Sequence, residues 1–489
     1  MKQAGNFLLI LLLIGIFSSC KDDIAGSPTA NIPPETYTVA DTIVRVGSDR
    51  FTSRITVRWW GDDPDGYLAG FEISQDGGPW SFTTRQDSVF LVEIPPGQDT
   101  FDFILHVRAI DNDGVQDPTP AIIAYPVKNS APLVAFQYSG GSPARNPVKT
   151  FPVIKYFWEA TDPDGFANID HFELYLNDTT SAPFIIDAVF SSATLKAVNP
   201  EAALTDVEVL TGSSLIPEPG TMPGLRTNDS NVLYIRAVDQ VGATSPLISS
   251  YSIYVKRVVS KVLLVNAYST NLQQREDFYL NHLGATGISN VDTLRVSEVV
   301  AGNYTSLAAD NPTQEMIFAL FDVLIWFGSE ATTSLPMAQR TTDQFFNAGG
   351  KMFIATNYSS AIEEQANFLD FTPIDSLVEP PAGSQFRLAN DARIIPVLTG
   401  WPELKSVQIL SSARPFYEAA NTTAIYTAEI TQSSSSGANI WPGHSTIMAK
   451  RPASGQSNFI ISSLELHNLD GNGNMQQFFQ RLFVDEFGL

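Results

Sequence analysis

The chain has 489 residues, of which 44% are hydrophobic, so it is long enough for about three domains with separate cores. Its 52 acidic and 29 basic residues give a net charge of −23, which argues against a nucleic-acid-binding protein, because such proteins need a basic face to neutralise phosphates. A single cysteine excludes a disulfide framework, a zinc site built on cysteines and a redox pair of thiols.

The amino terminus has the pattern of an export signal. Residues 1–19 contain a positive charge at Lys2, followed by an apolar run from Phe7 to Phe17. A helix of that length rises about 16 Å, which is too short for a hydrocarbon core of roughly 30 Å. The pattern therefore predicts a removable signal peptide rather than a membrane-spanning helix.

The apolar run ends in Phe17-Ser18-Ser19-Cys20, so the only cysteine of the chain lies where the signal must end. This arrangement resembles the signal of bacterial lipoproteins, in which the cysteine thiol is acylated and the cysteine becomes the new amino terminus. The resemblance implies that Cys20 carries acyl chains such as palmitate and anchors the protein in a lipid bilayer. An ordinary secretory signal with an incidental cysteine is the alternative.

Residues 20–33 form the predicted lipidated tether, which has no hydrophobic periodicity. Its Lys21-Asp22-Asp23 triplet resembles the signal by which some Gram-negative bacteria display lipoproteins on the cell exterior. The predicted location is therefore the outer membrane, lipid-anchored, at the cell surface of a Gram-negative bacterium. A solvated charge cluster in a linker is the alternative interpretation of the triplet.

The first half of the chain contains two copies of one pattern, with a Trp, an Asp-Pro-Asp-Gly segment and a Phe at similar spacing in residues 57–73 and 156–174. Each copy closes with Arg-Ala-x-Asp-x-x-Gly, at 108–114 and 236–242. Apolar and polar residues alternate in short runs separated by turn residues, which predicts antiparallel sandwiches.

The repeated pattern resembles tandem fibronectin type III or related immunoglobulin-like domains. We place these two all-β sandwiches at 34–128 and 129–257, the second with an insertion around Ser191–Asn228. Such modules occur in proteins of many kinds and indicate no particular function.

The Asp-Pro-Asp-Gly segments supply candidate calcium ligands. Asp62, Asp63 and Asp65, and in the second copy Asp162 and Asp164, could place oxygens around a hard cation. The same residues are also good turn formers, because Asp bonds its own backbone and Gly adopts positive φ. A calcium site needs six or more oxygens and each cluster supplies two or three, so we favour the turn.

Three tryptophans of the first copy, Trp59, Trp60 and Trp80, offer a stacking platform for sugar rings. Neighbouring residues on a regular strand point to opposite faces, so one of Trp59 and Trp60 must face outward. Burial in the core is the alternative for each of them, and it is the prediction for Trp158.

From Val259 onward, apolar runs alternate with amphipathic stretches. This βαβ series predicts an α/β doubly wound (flavodoxin-like) domain over 258–489, with a parallel sheet covered on both faces. The predicted strands and helices are 262–265, 273–283 (a helix ending at Gly284), 314–320 (helix), 323–327, 336–347 (helix), 352–355, 458–463 and 475–486 (helix).

Two segments, Asp322–Gly328 and Gly349–Ala355, look like parts of a class I glutamine-amidotransferase-like domain, and Phe459–Leu466 resembles its final strand. That family places a nucleophilic cysteine after the strand that here precedes Thr356-Asn357-Tyr358. Because no thiol stands there, attack on a glutamine amide cannot occur. The resemblance therefore implies a cysteine-less, amidotransferase-like pseudoenzyme.

Five residues are candidates for a crevice at the strand ends. The resemblance implies that Gly328 offers a backbone N–H where the family builds its oxyanion hole, and that His467, with Glu465, occupies the place of its His–Glu pair. The remaining candidates are Glu330, Asn357 and His444. Convergence of these side chains in one pocket would favour an enzyme.

The sequence thus predicts a membrane-anchored surface or periplasmic lipoprotein that acts as a non-catalytic binding or scaffold protein. One alternative is an extracellular hydrolase with a non-thiol site in the α/β domain. The other is a carbohydrate-binding lipoprotein of a nutrient-uptake system. The predicted partners are the lipid bilayer, through Cys20, and a glycan or protein. Calcium is the candidate cofactor.

Overall fold

The computed structural model describes residues 30–45, 51–92, 95, 97–138, 141, 146–297, 299–300, 304–305, 307–358, 369–435 and 437–489. The predicted signal peptide, Cys20 and Lys21–Asp23 lie outside these residues, so the anchor stays a prediction. Within the described part of the chain, none of the helices has the length and apolarity that crossing a bilayer requires. The chain divides into two compact units, which are Met1–Pro132 with Asp162–Ile169 and Asp239–Ala243, and the remainder.

The first sandwich has seven antiparallel strands, in two sheets of order β1-β2-β5 and β4-β3-β6-β7. Trp59 of one sheet shares a buried cluster with Phe71 and Phe103 of the other, so the sheets pack face to face. The predicted antiparallel sandwich is confirmed. The strands are β1 Glu35–Arg45, β2 Phe51–Asp62, β3 Leu68–Gln75, β4 Ser81–Thr83, β5 Asp87–Leu91, β6 Thr100–Asp111 and β7 Ala121–Lys128.

The second sandwich is longer. Its strands are β8 Leu133–Gln137, β9 Lys149–Thr150, β10 Val153–Thr161, β11 Ile169–Leu176, β12 Phe184–Asp187, β13 Ser192–Ala197, β14 Leu204–Thr211, β15 Ile216–Arg226, β16 Asp229–Asn231, β17 Leu233–Asp239, β18 Ile248–Ser249 and β19 Ile253–Val255, with a 3₁₀ turn at Phe166–Asn168. The sheets have the orders β15-β14-β13-β10-β8, β12-β11-β17-β18 and β16-β19-β9. Trp158 on β10 packs edge-on against Phe172 on β11, with ring centroids 5.6 Å apart.

The predicted insertion has a structural role in this sandwich. Its two long strands, β14 and β15, pair with each other and extend the β13 edge of the five-stranded sheet. On β15, Gly224 has a φ of 111°, and a Cβ there would lie 2.7 Å from the carbonyl oxygen of Leu176. The extension therefore approaches β11 closely because this position carries no side chain.

Replacing Gly224 with alanine should destabilise the protein by about 1–3 kcal/mol, because it combines a disfavoured φ with a backbone clash. Gly220 on the same strand is the matched control, since it also has positive φ, 88°, but nothing lies within 4 Å of its Cβ position. Urea denaturation should show a larger loss for Gly224→Ala than for Gly220→Ala. Equal losses would mean that the close approach to Leu176 has no energetic consequence.

The C-terminal part contains one nine-stranded sheet with helices on both faces, and three small sheets. Its elements are β20 Val262–Asn266, α1 Leu272–Ala285, β21 Asp292–Arg295, β22 Val299–Val300, β23 Tyr304–Thr305, α2 Asn311–Phe318, β24 Val323–Gly328, α3 Ala331–Thr341, α4 Asp343–Asn347, β25 Lys351–Thr356, β26 Ile374–Leu377, β27 Ser384–Leu388, β28 Arg393–Pro396, β29 Leu404–Lys405, β30 Phe416–Glu418, β31 Thr423–Ala428, β32 Ile430–Ser434, β33 Gly437–Ile440, β34 Thr446–Arg451, β35 Phe459–Ser462, a 3₁₀ turn Leu466–Asn468, and α5 Met475–Phe479, continued by a π-helix Gln480–Glu486.

The nine strands follow the order β21-β20-β24-β25-β35-β34-β31-β28-β29. The first five are parallel, and taken by chain position they stand in the order 2-1-3-4-5. The other four are antiparallel, so the expectation of a wholly parallel sheet is wrong for that half. The reason is that the chain between β25 and β35 returns through adjacent antiparallel strands instead of helical crossovers.

Alternate residues of the parallel strands face different helices. On β20, Val262 and Leu264 belong to a buried cluster with α1 and α5, whereas Leu263 and Val265 pack with α2 and α3. This double burial explains why the strands are continuous apolar runs. The end of α1 differs from the prediction, because the helix continues through Gly284 and the glycine with positive φ, 94°, is Gly287.

Candidate functional site

A polar cavity of about 210 Å³ lies where β25 and β35 end, at the carboxyl edge of the parallel strands. Open α/β sheets commonly bind their ligands at this edge, because the loops that follow the strands leave a crevice there. Amide, hydroxyl and carboxylate side chains dominate the lining. The lining residues are Asn357, Gln408, Ile409, Leu410, Ser411, Ser412, Leu464, Glu465 and Asn468.

Among the described residues, Glu465 is the one carboxylate that lines this cavity, and its side chain is 17% exposed. The Tyr268 hydroxyl donates to its Oε1 at 2.7 Å, and the Asn468 amide donates to its Oε2 at 2.7 Å. Burial raises the pKa of the Glu465 carboxyl, and it outweighs the opposing effects of these hydrogen bonds and of the Arg275 charge. Both oxygens are therefore held by fixed donors.

His467 lies beside this carboxylate, with its Nε2 3.8 Å from Glu465 Oε2. Its ring contacts the rings of Tyr268 and Phe278, each at a centroid distance of 6.3 Å. Burial, with a smaller contribution from the Arg275 charge, lowers the pKa of His467 to about 4. The imidazole is therefore neutral at pH 7, and it packs behind the cavity rather than lining it.

The residues at the end of β25 are a threonine and an asparagine, Thr356 and Asn357. Thr356 is fully buried, and its hydroxyl has no hydrogen-bond partner in the part of the chain that the structure describes. Asn357 follows, and its carbonyl oxygen accepts a 2.8 Å hydrogen bond from Ala331 N at the start of α3. Among the described residues its side-chain oxygen has no hydrogen-bond partner, and the residue lines the cavity. An amide rather than a nucleophile therefore faces the cavity at this strand end.

The other predicted crevice residues lie apart from the cavity lining. Gly328 is paired in register with Thr356 at the end of β24, and Glu330 immediately precedes α3. Burial and the charge of Glu330 raise the pKa of Tyr358. The predicted convergence is therefore partial, because only Asn357, Glu465 and the adjacent His467 come together.

His444 belongs to a different cluster. Its Nε2 lies 3.3 Å from Glu418 Oε2, and its ring stacks on Tyr417 with centroids 4.7 Å apart. Thr446 donates a 2.7 Å hydrogen bond to the other oxygen of Glu418. His444 therefore does not line the carboxyl-edge cavity, and it contacts Glu418 and Tyr417 instead.

The tryptophans of the first sandwich divide as strand alternation requires. Trp59 is 1% exposed and donates its indole N–H to the Arg85 carbonyl at 2.8 Å, so its assignment to a sugar platform is wrong. Trp60 is 47% exposed and stacks on Tyr37, with centroids 5.7 Å apart and planes at 19°. Trp80 is 37% exposed, with the Arg108 guanidinium 4.1 Å from its ring centroid.

The aspartates of the two turns also differ in environment. Asp62 and Asp65 are exposed, whereas Asp162 and Asp164 are buried, and the Asp164 N–H donates to Asp162 Oδ1 at 2.8 Å. That hydrogen bond supports the turn interpretation. Over the described residues, no three His, Cys, Asp or Glu side chains converge in a manner that would hold a metal ion.

No protein-family model matches the chain, and no curated protein matches it. Solved structures similar to it include a two-domain fibronectin type III segment of chicken tenascin, with 11% identity over 45% of this chain and 99% of that one, at a TM-score of 0.22. Another is the fibronectin(III)-like modules of Clostridium thermocellum CbhA, with 16% identity, coverage of 45% and 94%, and a TM-score of 0.17.

A third similar structure is the PKD1 domain of Vibrio anguillarum Epp, with 13% identity over 20% of this chain and 96% of that one, at a TM-score of 0.15. TM-scores this low carry no argument about function. The assignment of two antiparallel sandwiches rests on the strand pairing described above, and these comparisons assign the chain to no family.

Proposed function

We propose that the protein is a lipid-anchored binding protein, in which the α/β domain holds a small neutral polar molecule and performs no reaction on it. The observation that carries the proposal is the lining of the carboxyl-edge cavity, where amides and hydroxyls surround one carboxylate that is already hydrogen-bonded. Such groups orient a neutral polar ligand by hydrogen bonds.

Two features support a flavodoxin-like, amidotransferase-like assignment for this domain. Its five parallel strands have the order 2-1-3-4-5, which is that of flavodoxin-like doubly wound folds. Helices α1 and α5 cover one face, and α2 and α3 cover the other. An open sheet of this kind keeps its crevice even when the family's nucleophile is missing.

The hydrolase alternative has less support. A hydrolytic mechanism needs a nucleophile, or an activated water, within reach of a general base. Ser411 and Ser412 line the cavity, but over the described residues neither hydroxyl is hydrogen-bonded to a histidine or a carboxylate. Glu465 accepts one hydrogen bond on each oxygen, from Tyr268 and Asn468, and these bonds fix its orientation without activating a water molecule.

The anchor and location complete the proposal. Acylation at Cys20 would hold the protein on a bilayer, and Lys21-Asp22-Asp23 would direct it to the cell exterior. Mass spectrometry of the protein purified from its membrane should find acyl chains on a terminal Cys20, whereas an intact residue 1–19 segment would contradict the anchor.

The binding prediction is tested by thermal denaturation of the full chain with a panel of neutral monosaccharides, disaccharides and N-acetylated amino-acid amides. At least one solute should raise the melting temperature by a few degrees, as expected when a ligand binds only the folded state. Asn357→Leu should remove that shift, because it replaces the cavity amide with an apolar group of similar size.

Asn439→Leu is the matched control, since Asn439 is exposed on β33 and does not line the cavity. This variant should keep the full shift. A panel in which no solute affects the wild type, or a shift that Asn357→Leu retains unchanged, would contradict binding in this cavity.

A second candidate function is glycan binding by the first sandwich, which the exposure of Trp60 and Trp80 favours. Exposed tryptophan rings are suited to stacking on sugar faces. If this function is correct, Trp60→Ala or Trp80→Ala should abolish retention of the full chain on immobilised polysaccharide. Tyr254→Ala, at a 38% exposed aromatic residue of the second sandwich, should leave retention intact. Unchanged retention of both tryptophan variants would refute the candidate.

A further inference from the structure

The two sandwiches repeat one arrangement of polar side chains. In the first, the Asn31 side-chain amide donates to Asp111 Oδ2, and the next backbone N–H, of Ile32, donates to the Asp65 carboxylate at 3.1 Å. Asp111 Oδ1 accepts the backbone N–H groups of its own turn, including that of Val115 at 2.8 Å. The segment that precedes the sandwich is thus tied to two of its loops.

The second sandwich has the same contacts at the corresponding positions. The Asn129 amide donates to Asp239 Oδ2, and the Ser130 N–H donates to Asp164 Oδ2. Asp239 Oδ1 accepts the Ala243 N–H at 2.7 Å, as Asp111 Oδ1 accepts that of Val115. The recurrence shows that this arrangement belongs to the module rather than to one loop.

In each copy, one carboxylate has fewer hydrogen-bond donors, among the described residues, than its two oxygens can accept. Asp162 is only 9% exposed, and although its Oδ1 accepts a hydrogen bond, its buried Oδ2 accepts none. Its counterpart Asp63 lies beside the Asp65 backbone N–H, and over the described residues its oxygens have no other donor. A turn role explains the bonded oxygen of Asp162, but it does not explain why the other oxygen is buried without a donor.

No positive charge compensates these carboxylates in the described part of the chain. Burial, together with the charges of Asp164 and Asp239, raises the pKa of Asp162 to about 6. Burial and the charges of Asp65 and Asp111 likewise raise the pKa of Asp63. Buried carboxylates in proteins are normally paired with a cation or bound to a metal, because an uncompensated buried charge is costly.

We propose that each sandwich binds one calcium ion, through Asp63 in the first and Asp162 in the second. Over the described residues, Asp162 keeps one buried carboxylate oxygen without a donor, and Asp63 meets only the Asp65 backbone N–H. Asp111 and Asn31, and in the second copy Asp239 and Asn129, provide further oxygens.

The donor set fits calcium better than other cations. Carboxylate and amide oxygens are hard ligands, and calcium accepts six to eight of them in flexible geometry. Asn31 and Asn129 can present either the oxygen or the nitrogen of their amides to the site. Each site would thus combine carboxylate and amide oxygens with main-chain oxygens and water, and three converging carboxylates are not needed. The expected dissociation constants are about 10⁻⁴–10⁻³ M, the range of extracellular calcium modules.

The proposal is tested by calorimetric titration of the full chain with CaCl₂, after treatment with EDTA and dialysis. The wild type should bind two ions per chain. Asp63→Asn and Asp162→Asn should each remove one, because each loses the charged ligand of one site. Asp178→Asn is the matched control. Like Asp162, Asp178 accepts a hydrogen bond from the backbone N–H two residues further on, that of Thr180, at 2.9 Å, but it belongs to neither proposed calcium site. It should keep both ions.

Thermal denaturation in EDTA separates calcium binding from folding. Asp162→Asn should melt at or above the wild-type temperature there, because it removes an uncompensated buried charge, and it should respond less to calcium than the wild type. If that variant does not fold, Asn129→Leu provides the same test without a change of charge. No calcium binding up to 10 mM, or two ions bound by both aspartate variants, would overturn the proposal.

Discussion

Replacing Trp326 with alanine should lower the free energy of unfolding by about 3–5 kcal/mol, the usual loss when a large core side chain is truncated. Trp326 is fully buried on β24, in the middle of the parallel strands, and its ring packs edge-on against Phe318 with centroids 5.8 Å apart. Its indole N–H has no hydrogen-bond partner, so the loss should come from packing and from the cavity left behind.

Urea denaturation followed by circular dichroism measures this loss. Trp60→Ala is the matched control, because it removes the same side chain from a position that is 47% exposed. The control should cost about 1 kcal/mol or less, as exposed substitutions usually do. A loss below about 1 kcal/mol for Trp326→Ala would show that β24 is not a central core strand.

The second large effect concerns a buried ion pair behind the sheet. Lys450 donates to Glu486 Oε1 at 2.7 Å, and Ser457 donates to the same oxygen at 2.6 Å. Lys450 is 8% exposed and Glu486 is 6% exposed. Burial opposes ionisation of Glu486, but the hydrogen bonds from Lys450 and Ser457 outweigh it and leave the pKa of the carboxyl below its ordinary value.

Lys450→Met should destabilise the protein by about 3 kcal/mol at pH 7, because it leaves the Glu486 carboxylate buried without its main partner. The folded-state pKa of Glu486 is lower than the unfolded value, so its contribution is complete above the unfolded pKa and is lost as the pH falls through the folded pKa. In the variant this carboxyl protonates more readily. The difference from wild type should therefore shrink toward pH 4.

Urea midpoints at pH 7 and pH 4 test this dependence. Lys261→Met is the control, because its pair with Glu201 is exposed, with side-chain exposures of 52% and 57%. Exposed pairs contribute about 0–1 kcal/mol, so that variant should differ little from wild type at either pH. The same loss for Lys450→Met at both pH values would contradict a role for the Glu486 charge.

The sandwiches and the parallel strands were predictable because their burial is regular. Apolar residues at every second position indicate strands with one buried face. Continuous apolar runs, such as Val262–Val265 and Val323–Phe327, indicate strands that are buried on both faces. The same alternation required one of Trp59 and Trp60 to face outward, although only the packing against Phe71 and Phe103 determines which one.

The antiparallel half of the large sheet was not predictable. Strands such as Arg393–Pro396, Leu404–Lys405 and Thr423–Ala428 have two to six residues, and several carry exposed or half-buried side chains, so no periodicity develops. Their place in the sheet depends on pairing with strands far along the chain. The local sequence of this region therefore shows no strand periodicity from which the four additional strands could be predicted.

The candidate site was predictable only in part, for a similar reason. Asn357 and Glu465 follow recognisable strands, so their place at the carboxyl edge followed from the strand order. Tyr268 reaches Glu465 across 197 positions of sequence, and residues 408–412 reach the cavity from a segment without helix or strand periodicity. No local pattern marks such contacts.

The proposed function depends on one property of the carboxyl-edge cavity, which is that it binds a polar molecule without altering it. Saturation-transfer difference NMR of the full chain with a mixture of neutral saccharides and N-acetylated amino-acid amides measures binding and turnover in one sample. We expect saturation transfer from the protein to at least one solute, and we expect Asn357→Leu to abolish that transfer. The spectrum of the solute should be unchanged after a day. New product signals that disappear in a Glu465→Gln variant, or no transfer to any solute, would contradict the proposed function.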